Sequence, residues 1–147
     1  FKLREHNWSD GRPVTAHDFQ FSFRRILDPK TAAQYAAILY PIKNAEAVNS
    51  GKMAVDQVGV HALDDSTLRI EFHFVVPYIR ELLTHYTTFA VPQHIVEKYG
   101  DDWLRPEHVA ANGPYVLKQW VPNDHIELVK NPHFYDRDHV AVKNVHF

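Results

Sequence analysis

Eleven histidines and no cysteine make imidazole the most abundant candidate metal ligand in this chain. Zinc sites draw imidazole, thiolate or carboxylate ligands onto one point, usually from short spacings. No H-E-x-x-H occurs, and the densest local group is His133, Asp136, Asp138 and His139 in NPHFYDRDHV. Imidazoles and hard oxygen ligands would meet on an ion there if the loop curled. A solvated polar loop between strands is the competing reading, favoured because the spacing matches no metal template. Nucleophilic chemistry has less support. Ser9, Thr15, Thr31, Ser66 and Thr67 all lie at turn or cap signals, and no G-x-S-x-G elbow exists. SGK at 50–52 lacks the glycine-rich lead of a phosphate loop. The carboxylate pairs Asp64–Asp65 and Asp101–Asp102 are adjacent in turn-like segments, where turn formation is the expected job. No catalytic residue, cofactor or metal ligand is therefore expected.

Aromatic side chains remain. Trp8, Trp103 and Trp120, with seven tyrosines and nine phenylalanines, can line a ligand groove or fill a core. Tyr35 stands apart, because it falls one turn into an expected helix with its hydroxyl free to face a ligand.

The elements that must position these residues read as follows. SDG at 9–11 is a turn signature. Thr15 is placed to cap a helix with Asp18 at its third position, and Val14 and Phe19 can form a hydrophobic staple. Phe19, Phe23 and Ile26 recur at helical spacing until Asp28-Pro29 ends the run. Thr31 to Gln34 fits a second capping box, opening a short helix that Pro41 closes. Asn44 caps a third helix running to Gly51. Alternation over 58–63 and 67–74 around the DDS turn predicts a hairpin. Pro77 starts a helix with Ile79, Leu82, Leu83 and Tyr86 on one face. VPQHIVEKYG is a short helix stopped by Gly100. GPYVLKQWV, PND and HIELVKN form a hairpin, and 140–147 is one more strand. Helices mixed with antiparallel hairpins define an α+β class.

The chain has 147 residues, 45% of them hydrophobic, and a formal net charge of −2. That length supports a core without staples, and that charge calls for no nucleic-acid partner. No apolar run approaches the roughly 20 residues of a membrane-spanning helix. Lack of cysteine suits a cytosolic or a periplasmic location. The chain opens on FKLRE and closes on NVHF, both strand-like, so it is expected to begin and end inside a fold.

WSDGRPVTAHDFQFSFRRILDPKTAAQYA resembles a segment of the periplasmic oligopeptide-binding proteins, the solute receptors of peptide ABC transporters. The likeness continues through NAEAVNSGK, DQVGVHALDDSTLRIEF, VPYIRELLTHYTTFAVPQHIVEKYGDDW, NGPYVLKQW and KNPHFYD. The murein-peptide receptors belong to the same family, extracellular solute-binding protein family 5. The resemblance implies a type II (cluster C) periplasmic binding fold: a two-lobed clamp with an extra domain, closing on an extended peptide by strand-like hydrogen bonds. It implies a periplasmic location, an ABC permease as membrane partner and no covalent chemistry. By the family layout, residues 1–92 would be the small extra domain and 93–147 chain returning into the first main lobe, with the second lobe absent from this internal fragment. The tyrosine of the family's D-P-x-T-A-x-x-Y-A stretch reaches the bound peptide and matches Tyr35. Half a clamp buries less of a peptide, so this chain alone is expected to bind weakly or not at all. Two alternatives stand beside this reading: a structural or interaction domain without peptide affinity, and, with less support, a metal-dependent hydrolase using the 133–139 cluster. Open strand edges further suggest pairing with a second copy.

Overall fold

The computed structural model describes all 147 residues, Phe1–Phe147. The chain forms two compact units, the first from Phe1–Leu3 and Thr15–Val91, the second from Arg4–Val14 and Pro92–Phe147.

The first unit is organised by helix α1, Ala16–Leu27. Thr15 precedes it in an extended conformation, and its N–H donates to Asp18 Oδ2 at 2.9 Å, with its hydroxyl 3.2 Å from the same oxygen. The carboxylate thus ties the helix entry as the sequence pattern predicts. Asp28 leaves the α region before Pro29 and ends the helix. Phe23 and Leu27 are fully buried and pack with Leu39, Ile42, Val48, Val58 and Val60 into one core.

The second predicted capping box does not form. Asp28 Oδ1 accepts from Lys30 N–H at 2.9 Å and starts a single 3-10 turn, Pro29–Thr31, one step too early for Thr31 to act as a cap. Ala32 follows in the left-handed region (φ 48°), which breaks any helix through 31–35. A second 3-10 turn covers Ala36–Leu39, and Tyr35 sits at its entry rather than inside a helix. Helix α2, Ala45–Asn49, begins after Asn44, but the Asn44 side chain does not cap it. Its amide donates instead to Gln57 O at 2.8 Å.

Strands β1 (Val60–Asp64) and β2 (Thr67–Ile70) form the expected hairpin, with Ala62 opposite Leu68 and a bulge before Asp64. Pairing with β1 stops at Ile70, short of the predicted Phe74. Beyond it the chain bridges residue 42 from Phe72, and Lys43 N–H donates to Glu71 O at 2.9 Å. Gly59 permits this close approach, since a Cβ there would lie 2.9 Å from Lys43 Cβ and 3.1 Å from Glu71 O. Phe1–Leu3 is not a full strand; only Lys2 bridges Thr67. Helix α3 is one turn, Ile79–Leu82, and starts after Pro77 rather than at it.

In the second unit, α4 (Gln93–Tyr99) ends at Gly100, whose φ of 55° stops the helix. A three-stranded antiparallel sheet follows in the order β3-β4-β5, from Tyr115–Val121, His125–Lys130 and Asn144–His146. The PND turn carries Asn123 at φ 64°, a conformation asparagine tolerates. The final strand is shorter than predicted, because residues 137–139 form a 3-10 turn and the chain pairs only from Asn144. Trp8 is buried in this unit, and Ser9 and Ala111 exchange two hydrogen bonds around it.

Candidate functional site

The aromatic group around Tyr35 lies within the first unit. Tyr35 enters its 3-10 turn with φ −108° and ψ 19°, which leaves its ring 43% exposed. Two rings from the 85–86 segment meet it. His85 lies 5.7 Å away at 60°, and Tyr86 5.7 Å away at 85°, an edge-to-face contact. His85 and Tyr86 stack on each other at 4.4 Å and 30°. Edge-to-face and offset-stacked geometries match the charge distribution of aromatic rings.

The local sequence explains why these residues leave the helix. Thr84 Oγ1 donates to Glu81 O at 2.7 Å, and Thr88 Oγ1 donates to Leu83 O and His85 O at 2.9 and 2.8 Å. These hydroxyls take up carbonyls at the end of α3. The helix stops at Leu82, and Tyr86–Thr88 becomes a separate 3-10 turn with His85 at its entry. Tyr86, expected on the buried face with Ile79, Leu82 and Leu83, is instead 57% exposed. Partial desolvation, then the neighbouring Tyr35 phenol, raise the Tyr86 pKa above the ordinary tyrosine value.

The metal candidate does not assemble. His139 Nδ1 pairs with Asp136 Oδ1, and Asp138 lies 3.6 Å from Arg137. The Asp136 hydrogen bond raises the His139 pKa, as an exposed ion pair does. His133 turns toward Gly11, with its Cε1 3.6 Å from where a Cβ there would sit. No three histidine, aspartate or glutamate side chains of the chain come together in a way that could hold a metal ion. The carboxylate pairs are turn residues: Asp64 accepts from Ser66 and Thr67, and Asp102 pairs with Arg105 at 2.8 Å. Of the tryptophans, Trp8 is buried and Trp120 is exposed on β3.

A solvent-facing group of two phenols and an imidazole, with no metal set beside it, has the chemistry of a binding surface. The comparisons with known proteins give the family. The chain belongs to the bacterial extracellular solute-binding proteins, family 5 Middle, whose pattern it matches over residues 1–147. It is 43% identical over 148 residues to the periplasmic oligopeptide-binding protein OppA of Salmonella typhimurium, covering 99% of this chain and 27% of that protein. It is 42% identical over 150 residues to the probable deoxycholate-binding periplasmic protein YgiS of Escherichia coli, covering 100% of this chain and 28% of that protein. Among solved structures, Haemophilus influenzae OppA in complex with the peptide RPPGFSPFR superposes with a TM-score of 0.97 at 39% identity, covering 100% of this chain and 29% of the other. The chain therefore spans less than a third of the length of these relatives. The fold is that of a segment of a type II periplasmic binding protein, with mixed helices and antiparallel sheet. No helix is long and apolar enough to cross a membrane.

Proposed function

We propose that this chain is the ligand-contacting segment of a periplasmic receptor that binds extended peptides without covalent chemistry and delivers them to an ABC permease. Family membership over the whole chain supports the receptor class. The observation that carries the contact is the exposed Tyr35 phenol at the entry of its turn, held against the His85 and Tyr86 rings. In this reading the first unit is the receptor's extra domain, and the second is chain of its first main lobe. The outer edges of β3 and β5 suit pairing with further chain, whether more of the receptor or a second copy.

Calorimetry tests the contact. In a receptor carrying this segment, Tyr35→Ala weakens peptide binding by about tenfold, the effect of one hydrogen bond plus lost ring contact. Tyr35→Phe costs less. The 147-residue chain alone binds at least a hundredfold more weakly than the receptor. Unchanged affinity in Tyr35→Ala, or micromolar binding by the isolated chain, contradicts the assignment.

A further inference from the structure

Tyr86 does more in this patch than add apolar surface. His85 enters the 86–88 turn with its ring folded back onto it. Thr87 N–H reaches His85 Nδ1 at 3.4 Å, and the Thr87 hydroxyl lies 3.0 Å from the same nitrogen. A backbone N–H can only donate, so Nδ1 presents a lone pair there. In a neutral imidazole the proton then sits on Nε2. No group of the chain accepts from that Nε2–H. The Tyr35 and Tyr86 rings meet edge to face at 5.7 Å. The Tyr35 phenol carries an O–H that can donate.

The patch therefore presents two donors, the Tyr35 phenol O–H and the His85 imidazole N–H. Tyr86 touches both of their owners. Its ring lies on the His85 ring and meets the Tyr35 ring edge to face. The turn fixes one nitrogen of His85, and the Tyr86 stack fixes the plane of the ring. With 57% of Tyr86 exposed, core packing is a poor account of the residue.

We propose that Tyr86 is a positioning residue that aligns these two donors, and that the patch takes an acceptor oxygen of the ligand, a peptide carbonyl or a carboxylate. The proposal rests on the receptor reading above. It adds the donor pair, its tautomer and the residue that holds it.

Nitrogen and proton NMR on the labelled 147-residue chain tests it, with two probes at millimolar concentration. Acetyl-trialanine amide carries carbonyls and no carboxylate; deoxycholate carries a carboxylate and no peptide carbonyl. The wild-type chain shows the Nε2–H tautomer at His85, and at least one probe shifts the Tyr35, His85 and Tyr86 signals together. Which probe acts identifies the acceptor. Tyr86→Phe retains the stack and the tautomer signature and leaves the affinity for the probe within about twofold. Tyr86→Ala weakens it tenfold or more while the signals of α1 stay in place. An Nδ1–H tautomer, or equal affinity in wild type and Tyr86→Ala, overturns the proposal. Shifts elsewhere in the chain with these three residues unmoved overturn it and leave the receptor reading standing. Silence from both probes throughout the chain overturns the proposal and leaves the receptor reading, which expects little binding by this chain alone, to the Tyr35→Ala calorimetry.

Discussion

The two units are held together by different physics. The first buries Phe23, Leu27, Leu39, Ile42, Val48, Val58 and Val60 at 1% exposure or less, in one continuous cluster. In the second, no residue of β3, β4 or β5 is buried. Its apolar burial is more scattered, at Trp8, Val14, Ile95 and Ala110, and polar ties add to it. Asn131 is fully buried, donates from Nδ2 to Gly113 O at 2.9 Å and to Ala111 O at 3.3 Å, and accepts from His133 N–H at 2.9 Å. His94 Nε2 lies 2.6 Å from Asp10 Oδ2 and ties α4 to the SDG turn. The comparison teaches that the Tyr35 patch, the contact proposed above, sits on the packed unit. A contact surface whose rings must hold a fixed angle gains from a dense core beneath it, because close-packed interiors deform little.

The largest expected effect follows from that difference. Leu39→Ala, in the turn directly after Tyr35, removes fully buried methyl groups and destabilises the chain by about 2–5 kcal/mol. Asn131→Ala leaves the Ala111 and Gly113 carbonyls without their buried donor and costs about 1–3 kcal/mol. Denaturant unfolding of both variants checks the ranking. A costlier Asn131→Ala would place the stability in the polar ties instead.

The smallest effect is the acid response of two turns, one in each unit. Hydrogen bonds from Thr67, then Ser66, hold Asp64 at about 2, below the ordinary 3.8. Partial burial would raise Asp10, but the His94 hydrogen bond and the Arg12 N–H outweigh it and the pKa is lowered. A depressed carboxylate pKa contributes stability that is fully present above the ordinary value and lost as pH falls through the folded one. Both turns therefore weaken below about pH 4, and the Asp64 contribution is gone below about pH 2. In thermal melts, Asp64→Asn lowers Tm slightly at pH 7, and the gap to wild type closes on acidification. A gap that widens in acid would contradict the assignment.

Much of the fold was legible where a local signal had no competitor. Thr15, Asp18 and Pro29 bracket α1 closely, and the DDS and PND turns fix both hairpins. Errors arose where two local signals competed. Asp28 and Thr31 are both good caps, and the one nearer the proline won. The Ile79-Leu82-Leu83-Tyr86 spacing continues a helix on paper, but the hydroxyls of Thr84 and Thr88 end it and turn Tyr86 outward. The membership of Arg4–Val14 in the second unit rests on contacts with residues about a hundred positions away, such as Ser9 with Ala111, which no periodicity encodes. The sequence marks Tyr35 by its place one turn into an expected capped helix, and the family motif adds to that reading; the structure puts it instead at the entry of a 3-10 turn. His85 and Tyr86 carried no signal, since a ring-capped threonine turn has no established sequence signature.

Native-state hydrogen exchange, read amide by amide, tests the contrast between the units most directly. Slow exchange follows buried, densely packed backbone. The account predicts the slowest amides in α1 at Phe23 to Leu27, with β3 to β5 exchanging sooner although β4 is paired on both sides. Slowest exchange in β3 to β5, with α1 opening first, would contradict it and move the rigid platform away from the Tyr35 patch.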